Sequence, residues 1–261
     1  LISDEKNNIW FLNKINKLMK TSLLILVISL LSFHASYSQS NDSINGRPLI
    51  SGTAPSFKAV STLGDINFPD DYFGKWKIIF SHPADFTPVC TSEMLALADY
   101  QNDFKDLNTA LIVLSTDGLN SHIEWVKSMD TISGKMASPI KINFPIVTDA
   151  DLKISKQYGI VQTDLKGKRD IRGVFIIDPD NKIRAFFYYP VAVGRNVEEI
   201  KRTLIALQTE DKNNVLIPAN WEPGNDVLIP SPKTMNDAKK MEQKKDTKLH
   251  EVAWYLWYMK L

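Results

Sequence analysis

Ser81-His82-Pro83-Ala84-Asp85-Phe86-Thr87-Pro88-Val89-Cys90-Thr91-Ser92-Glu93 is the stretch from which the rest of the chain can be ordered. The apolar run Trp76-Lys77-Ile78-Ile79-Phe80 stands just before it and reads as a buried strand. Ser81 to Pro88 then forms a loop with two prolines. From Thr91 to Phe104 the apolar residues Met94, Leu97, Ala98 and Phe104 recur at broadly helical spacing, with polar Gln101 as the miss. Thr87 suits a helix N-cap and Pro88 the first helical position. Cys90 is then the third helical residue, among backbone N–H groups that have no partner in the helix. Those donors and the helix dipole favour negative charge, the condition for a reactive thiolate. A free cysteine is more commonly a small buried apolar side chain, so position alone leaves both roles open.

Working outward, Ala110 to Leu114 is a second apolar strand and Ser121 to Ser128 a helix. Ile142 to Val147 reads as a strand interrupted by Pro145, and Ala150 to Tyr158 as a short helix. Gly173 to Ile177 and Ile183 to Tyr189 flank Asp178-Pro179-Asp180-Asn181, a hairpin turn. Asn196 to Glu210 is an amphipathic helix. Alternating strands and helices predict an α/β sheet covered by helices. Beyond Glu210, Pro218, Pro223, Pro230 and Pro232 punctuate extended segments. Lys233 to Lys248 is charged and helical in pattern, and the aromatic-rich run Val252 to Tyr258 follows. A satellite of about 50 residues cannot hold a large core alone, so residues 211–261 are expected to dock on the main domain or on a second subunit.

Of 261 residues, 44% are apolar and 23% charged, which excludes a collagen-like or wholly disordered chain. A net charge of +1 without long runs of one sign gives no reason to expect a nucleic-acid partner. One cysteine excludes an internal disulfide framework and a cysteine-rich zinc site. The histidines His34, His82, His122 and His250 are scattered, none at metal-ligand spacing, and no metal or other cofactor is expected. Near the start, Met19-Lys20 precedes the apolar run Leu23 to Phe33, and small or polar residues follow to Gln39. This pattern predicts a secretory signal over residues 1–38, with Met19 as the start and cleavage after Ser38. The run is short for a membrane span, so stable membrane anchoring is not expected. Removing the segment takes away Lys6, Lys14, Lys17, Lys20, Asp4 and Glu5 and leaves a near-neutral exported chain, periplasmic or secreted. Its cysteine would then work where thiols tend to oxidise. Residues 39–51 read as a linker and 52–210 as the main domain.

The pattern Pro83-x-x-x-Thr87-x-x-Cys90 resembles the active-site motif of peroxiredoxins, thiol peroxidases with a thioredoxin-like fold. The longer string from Ser81 to Glu93 is similar to the one-cysteine subfamily in particular. The resemblance continues through Arg172-Gly173-Val174-Phe175-Ile176-Ile177-Asp178-Pro179, Tyr189-Pro190, Gly194-Arg195-Asn196 and Pro218-Ala219-Asn220-Trp221, covering roughly residues 50 to 235. It implies a thioredoxin-like domain with a small C-terminal dimerisation domain, and a homodimer or a ring of dimers. It implies that Cys90 is the peroxidatic nucleophile, oxidised to a sulfenic acid by hydrogen peroxide or an organic hydroperoxide. By the same resemblance Thr87 hydrogen-bonds the peroxide, Arg172 holds thiolate and peroxide, and Pro83 shields the pocket. His82 and Arg195 match positions near the site. With no second cysteine, an external thiol must reduce the sulfenic acid. Some one-cysteine relatives carry a lipase motif, but Gly74-Lys75-Trp76-Lys77 lacks its serine, Pro69 stands where the partner histidine would lie, and only Asp180 stays in register.

A depressed thiol pKa alone does not make a fast peroxidase. An ordinary thiol of pKa about 8.5 is roughly 3% thiolate at pH 7, and one of pKa about 6 is roughly 90%. Nucleophilicity falls with pKa at a slope near 0.45 in disulfide exchange, so about tenfold of that thirtyfold gain is lost again. The O–O bond must also be activated by donors aimed at the departing oxygen, each typically worth about a hundredfold. Two rivals stand beside this reading. A disulfide reductase needs Cys-x-x-Cys, where the chain has Cys90-Thr91-Ser92-Glu93. A redox-sensing or chaperone-like binding protein would be switched by oxidation of Cys90 without turnover.

Overall fold

A computed structural model of the chain describes residues 43–44, 47–135, 139–162, 169–243 and 247–261. The signal segment read over residues 1–38 lies outside the described residues. Two short strands, β1 (Ser43–Ile44) and β2 (Arg47–Pro48), pair with each other. Where the linker reading ends, the chain joins the main domain: Ser51 N–H donates to the Ile183 carbonyl and Ala54 N–H to that of Asn181. A hairpin follows, β3 (Phe57–Ser61) and β4 (Gly64–Phe68), then β5 (Trp76–Ser81). Helix α1 (Pro88–Asp99) runs on, through Tyr100, into α2 (Gln101–Asp106), and β6 (Thr109–Ser115) precedes α3 (Leu119–Ser133). Next come β7 (Ile146–Thr148), α4 (Lys153–Gln157), β8 (Val161–Gln162), β9 (Arg169–Asp170), β10 (Arg172–Ile177) and β11 (Ile183–Tyr189). Helix α5 (Val197–Asn213) leads into β12 (Val227–Leu228), α6 (Met235–Glu242), β13 (Leu249–Ala253) and β14 (Leu256–Met259).

Seven strands form the central sheet in the order β11-β10-β5-β6-β7-β3-β4. The pairs β5–β6 and β6–β7 are parallel, and the hairpin β10–β11 adds antiparallel to β5. Side chains alternate across the pleat. Ile78, Phe80, Leu111, Val113, Val174 and Ile176 therefore pack one way, against Met94 and Leu97 of α1, Trp125 of α3 and Leu204 of α5. Ile79, Ile112, Leu114, Phe175 and Ile177 pack the other way with Phe57, Phe68, Ile154 and Tyr158. Both faces are covered, which explains why the central strands read as unbroken apolar runs.

The strands at 76–80 and 110–114, the hairpin around Asp178-Pro179-Asp180-Asn181 and the helix after Asn196 stand where the pattern puts them. Other boundaries differ. Helix α3 is longer than read at both ends, and α4 is shorter. Only Ile146–Thr148 is strand in the third apolar stretch; Pro145 supplies no N–H, and only its carbonyl joins the ladder, accepting from Val113 N–H at 3.0 Å. Among its described residues, the charged stretch from Lys233 to Lys248 is helical over Met235–Glu242. The aromatic tail is the strand pair β13–β14, joined by β12. This C-terminal part has a small core of its own: Val215, Trp221 and Val227 close on Ala206 of α5. It docks on the last helix of the main domain, as its size requires.

Candidate active site

The carboxyl ends of the parallel strands position the reactive segment. β5 ends at Ser81, the loop Pro83–Phe86 turns through a positive φ at Phe86 (53°), and α1 begins at Pro88. Thr87 is the N-cap by backbone position, but its hydroxyl donates to the Ala84 carbonyl at 3.0 Å and caps no helix N–H. The loop therefore folds back on itself just before the cysteine. Cys90 is the third helical residue, as the sequence predicts, and only 1% exposed.

Arg172 opens β10 and is fully buried, not a surface residue. Its Nη1 lies 3.4 Å from Cys90 Sγ and 2.6 Å from Glu93 Oε2, and its Nε donates to the Val191 carbonyl at 2.8 Å. Arg195 reaches the same carboxylate: its backbone N–H and Nε donate to Glu93 Oε1 at 2.8 and 2.9 Å, and its Nη2 to Oε2 at 2.8 Å. Its Nη1 donates to the carbonyls of Ser81 and Gly173, and the guanidinium lies 3.3 Å above the centre of the Phe80 ring. Burial pulls the Arg195 pKa below its usual value, against the hydrogen bonds it donates to Glu93, which hold it up. The strand can come this close only at glycine. A Cβ on Gly173 would sit 3.0 Å from Ile160 Cγ2 and 3.2 Å from Ser81 Oγ.

The charge count of this cluster bears on its chemistry. Two guanidiniums face one carboxylate, so a thiol leaves one positive charge in excess and a sulfur anion brings the buried group to neutrality. The donor that meets the sulfur therefore belongs to a cationic group held in a low-dielectric interior, where its charge is little screened. The same Nη1 that touches sulfur is placed to meet an oxygen bound beside it.

Sequence reading found Cys90 and Arg172 and placed Arg195 near the site; the structure brings them together. It missed Glu93, which joins the two arginines. The available signal was its spacing, three residues after Cys90 on the same helical face. His82 belongs elsewhere: its Nε2 lies 3.6 Å from Asp85 Oδ1, and its ring packs against Trp125 with centroids 4.9 Å apart. The other oxygen of Asp85 is 2.7 Å from His122 Nδ1. The histidines are thus not all scattered, because the fold closes the 40-residue gap between His82 and His122. Burial pushes the His82 pKa down to about 3, with His122 and Arg195 acting in the same direction and Asp85 against, so the imidazole is neutral. Pro83 is buried in the same loop.

The model of the AhpC/TSA family matches residues 50–186, and that of the C-terminal domain of 1-Cys peroxiredoxin matches residues 206–245. The peroxiredoxin of Methanosarcina mazei is 47% identical over 210 residues, 80% of this chain and 96% of that protein. The chain belongs to the peroxiredoxin family. A peroxiredoxin of Thermotoga maritima is 41% identical, over 82% of this chain and 98% of its own length. Among solved structures, yeast mitochondrial 1-Cys peroxiredoxin matches with a TM-score of 0.69 and 39% identity, over 82% of this chain and 99% of that one. A cysteine-to-serine mutant of the peroxiredoxin 6 of Arenicola marina matches with a TM-score of 0.70 and 32% identity, over 81% and 97%. The fold is accordingly the thioredoxin-like fold of peroxiredoxins with a C-terminal extension. The protein is a thiol-dependent peroxidase with a single cysteine, Cys90.

Proposed function

We propose that Cys90 attacks the terminal oxygen of hydrogen peroxide or an alkyl hydroperoxide. The S–O bond forms as the O–O bond breaks, giving the sulfenic acid and, after protonation, water or an alcohol. An external thiol then condenses with the sulfenic acid to a mixed disulfide and water. A second thiol releases Cys90 and leaves as the oxidised disulfide. The observation that carries this assignment is the 3.4 Å approach of a fully buried guanidinium to the sulfur. In this reading Arg172 holds the anion and stabilises charge on the departing oxygen. Thr87 offers its hydroxyl oxygen at the mouth of the site, Pro83 walls the loop, and Arg195 acts through Glu93 to aim Arg172. His82 supports the loop through Asp85. Peroxide consumption with dithiothreitol, by wild type and Cys90→Ser, tests the proposal together with mass spectrometry of the thiol. Turnover and a 16-Da adduct in wild type alone are expected; stoichiometric consumption without turnover overturns the catalytic reading.

The reductant is placed by analogy. The solved yeast relative is resolved through glutathione and thioredoxin systems, and a small thiol or a protein dithiol of that class fits a chain with no second cysteine. A second copy of the chain is the proposed partner. β11 is the edge strand of the sheet, with Tyr188 on it and Val191 and Val193 after it exposed, and Val252, Trp254 and Tyr255 are exposed at the C-terminal strand pair. Such a surface supports a homodimer; a monomer in sedimentation at micromolar concentration would exclude it. Export rests on the basic, apolar and small-residue succession before Gln39. A mature N-terminus near Gln39 is the expected result of N-terminal sequencing.

A further inference from the structure

The cluster His82, Asp85 and His122 is left over once the peroxide chemistry has been assigned. One candidate ligand atom from each lies within 4.8 Å of the other two, and all three residues are buried. Its polar atoms are poorly served. Among the described residues neither ring nitrogen of His82, nor Asp85 Oδ1, nor His122 Nε2 has a hydrogen-bond partner. Buried polar atoms are nearly always paired, so a group with four orphans in one place calls for a missing partner. One ion cannot serve all four, since a neutral imidazole has one lone pair and one N–H; but Asp85 Oδ1 and one nitrogen of His82 face each other unpaired, with His122 Nδ1 on the other carboxylate oxygen, and a cation is the partner that meets two imidazoles and a carboxylate together.

We propose that His82, Asp85 and His122 form a binding site for one divalent transition-metal ion of the zinc type. Two nitrogens and one oxygen suit a borderline cation; magnesium and calcium prefer oxygen alone. Three protein ligands leave a fourth position for water, the usual count for an open zinc site. The separations require little movement. His122 Nδ1 and Asp85 Oδ2 stand 2.7 Å apart across a proton, and His82 Nε2 is 3.6 Å from the other oxygen. The ion takes the place of the bridging proton, which moves to the far nitrogen of the His122 ring or leaves to solvent. Surrounding groups already fix the ligands: Asp85 N–H donates to Asp117 Oδ2 at 2.6 Å, and Trp125 packs on His82 while donating to Thr91 Oγ1 at 3.2 Å. Metal there would tie the loop before Cys90 to α3.

The proposal does not depend on the peroxidase reading, and its test keeps the two apart. Chelator-treated full-length protein and its Cys90→Ser, His122→Gln and Asp85→Asn variants are titrated with Zn(II), desalted and assayed for bound metal. One equivalent is expected in wild type and in Cys90→Ser, with affinity at least tenfold weaker in the other two. No retained metal in wild type, loss with Cys90→Ser, or undiminished affinity in His122→Gln would each overturn it. Should the histidine and aspartate variants fail to fold, X-ray absorption of zinc-loaded wild type decides. A first shell of nitrogen and oxygen at about 2.0–2.2 Å supports the site, and a sulfur at about 2.3 Å rejects it.

Discussion

The segment from His82 to Glu93 sends side chains into two buried polar clusters, and the two are completed differently. Around Glu93, each carboxylate oxygen accepts two hydrogen bonds, and Arg195 meets two backbone carbonyls besides. Around Asp85, one oxygen is paired with His122 and the other has no hydrogen-bond partner among the described residues. A saturated network holds its members in one arrangement, because any displacement strands a charge away from water. That is the property wanted beside a sulfur whose partner must be aimed to a fraction of an ångström. An unsaturated network gives up that rigidity and keeps capacity for another ligand. The loop thus joins a fixed half, holding the guanidinium on Cys90, to a half that is still open to coordination.

This contrast is most exposed to Glu93→Gln. The amide keeps the shape but leaves two buried guanidiniums without a counter-charge, and breaking a buried pair in this way costs about 3–5 kcal/mol. Asp85→Asn removes a charge from a cluster whose His82 is already neutral, so the expected loss is only about 1–2 kcal/mol. Urea denaturation of both variants, without added metal, measures the difference. Equal losses would show that the two clusters are not distinct in kind.

The next largest effect concerns the chemistry that the fixed half supports. Arg172→Ala is expected to slow peroxide attack about a hundredfold. Alkylation of Cys90 by iodoacetamide needs the thiolate but no activation of an O–O bond, and should slow much less. Stopped-flow peroxide oxidation and timed alkylation give the two rates. If they fall together, Arg172 serves only to hold the anion, and the donor to the departing oxygen must be sought elsewhere.

How much of this could be read in advance differs between the same two regions. Cys90 at the third position of a proline-started helix follows from local preferences, and the strand before it from an apolar run. Those are short-range facts, and the sequence states them directly. Arg172 and Arg195 were legible only through resemblance, because a lone arginine before a strand carries no sign of where the strand will lie. Glu93 was within reach of helical spacing and was passed over. His122 had no local sign at all: it meets Asp85 because α3 returns across the sheet end, a contact 37 positions apart. The hairpin β3–β4 and the terminal pair β13–β14 were likewise missed. Their patterns are short and partly exposed, and their pairing is decided by the sheet edges they meet.

A second pair of carboxyls, on the far side of the sheet, sharpens the same contrast. Asp149 is saturated, accepting from the N–H groups of Ile154 and Ser155 and from Ser155 Oγ. Asp170, fully buried on β9, has neither oxygen hydrogen-bonded among the described residues. Ser155 lies close enough to oppose, but its hydroxyl is spent on Asp149. Burial, helped by the charges of Asp149 and Asp117, raises the Asp170 pKa from 3.8 to about 8. The folded protein therefore keeps a proton that the unfolded chain releases near pH 4. Between those values only the unfolded state loses it, so this group lowers stability as pH rises from about 4 to about 8 and adds no further change above. Asp170→Asn keeps the neutral shape and removes the titration. The variant should gain stability over wild type at pH 8 relative to pH 4, read from thermal or urea unfolding at both. Parallel pH–stability curves for the two proteins would mean that Asp170 finds a partner or water in solution, and that an unpaired carboxyl in this fold need not signal capacity for a ligand.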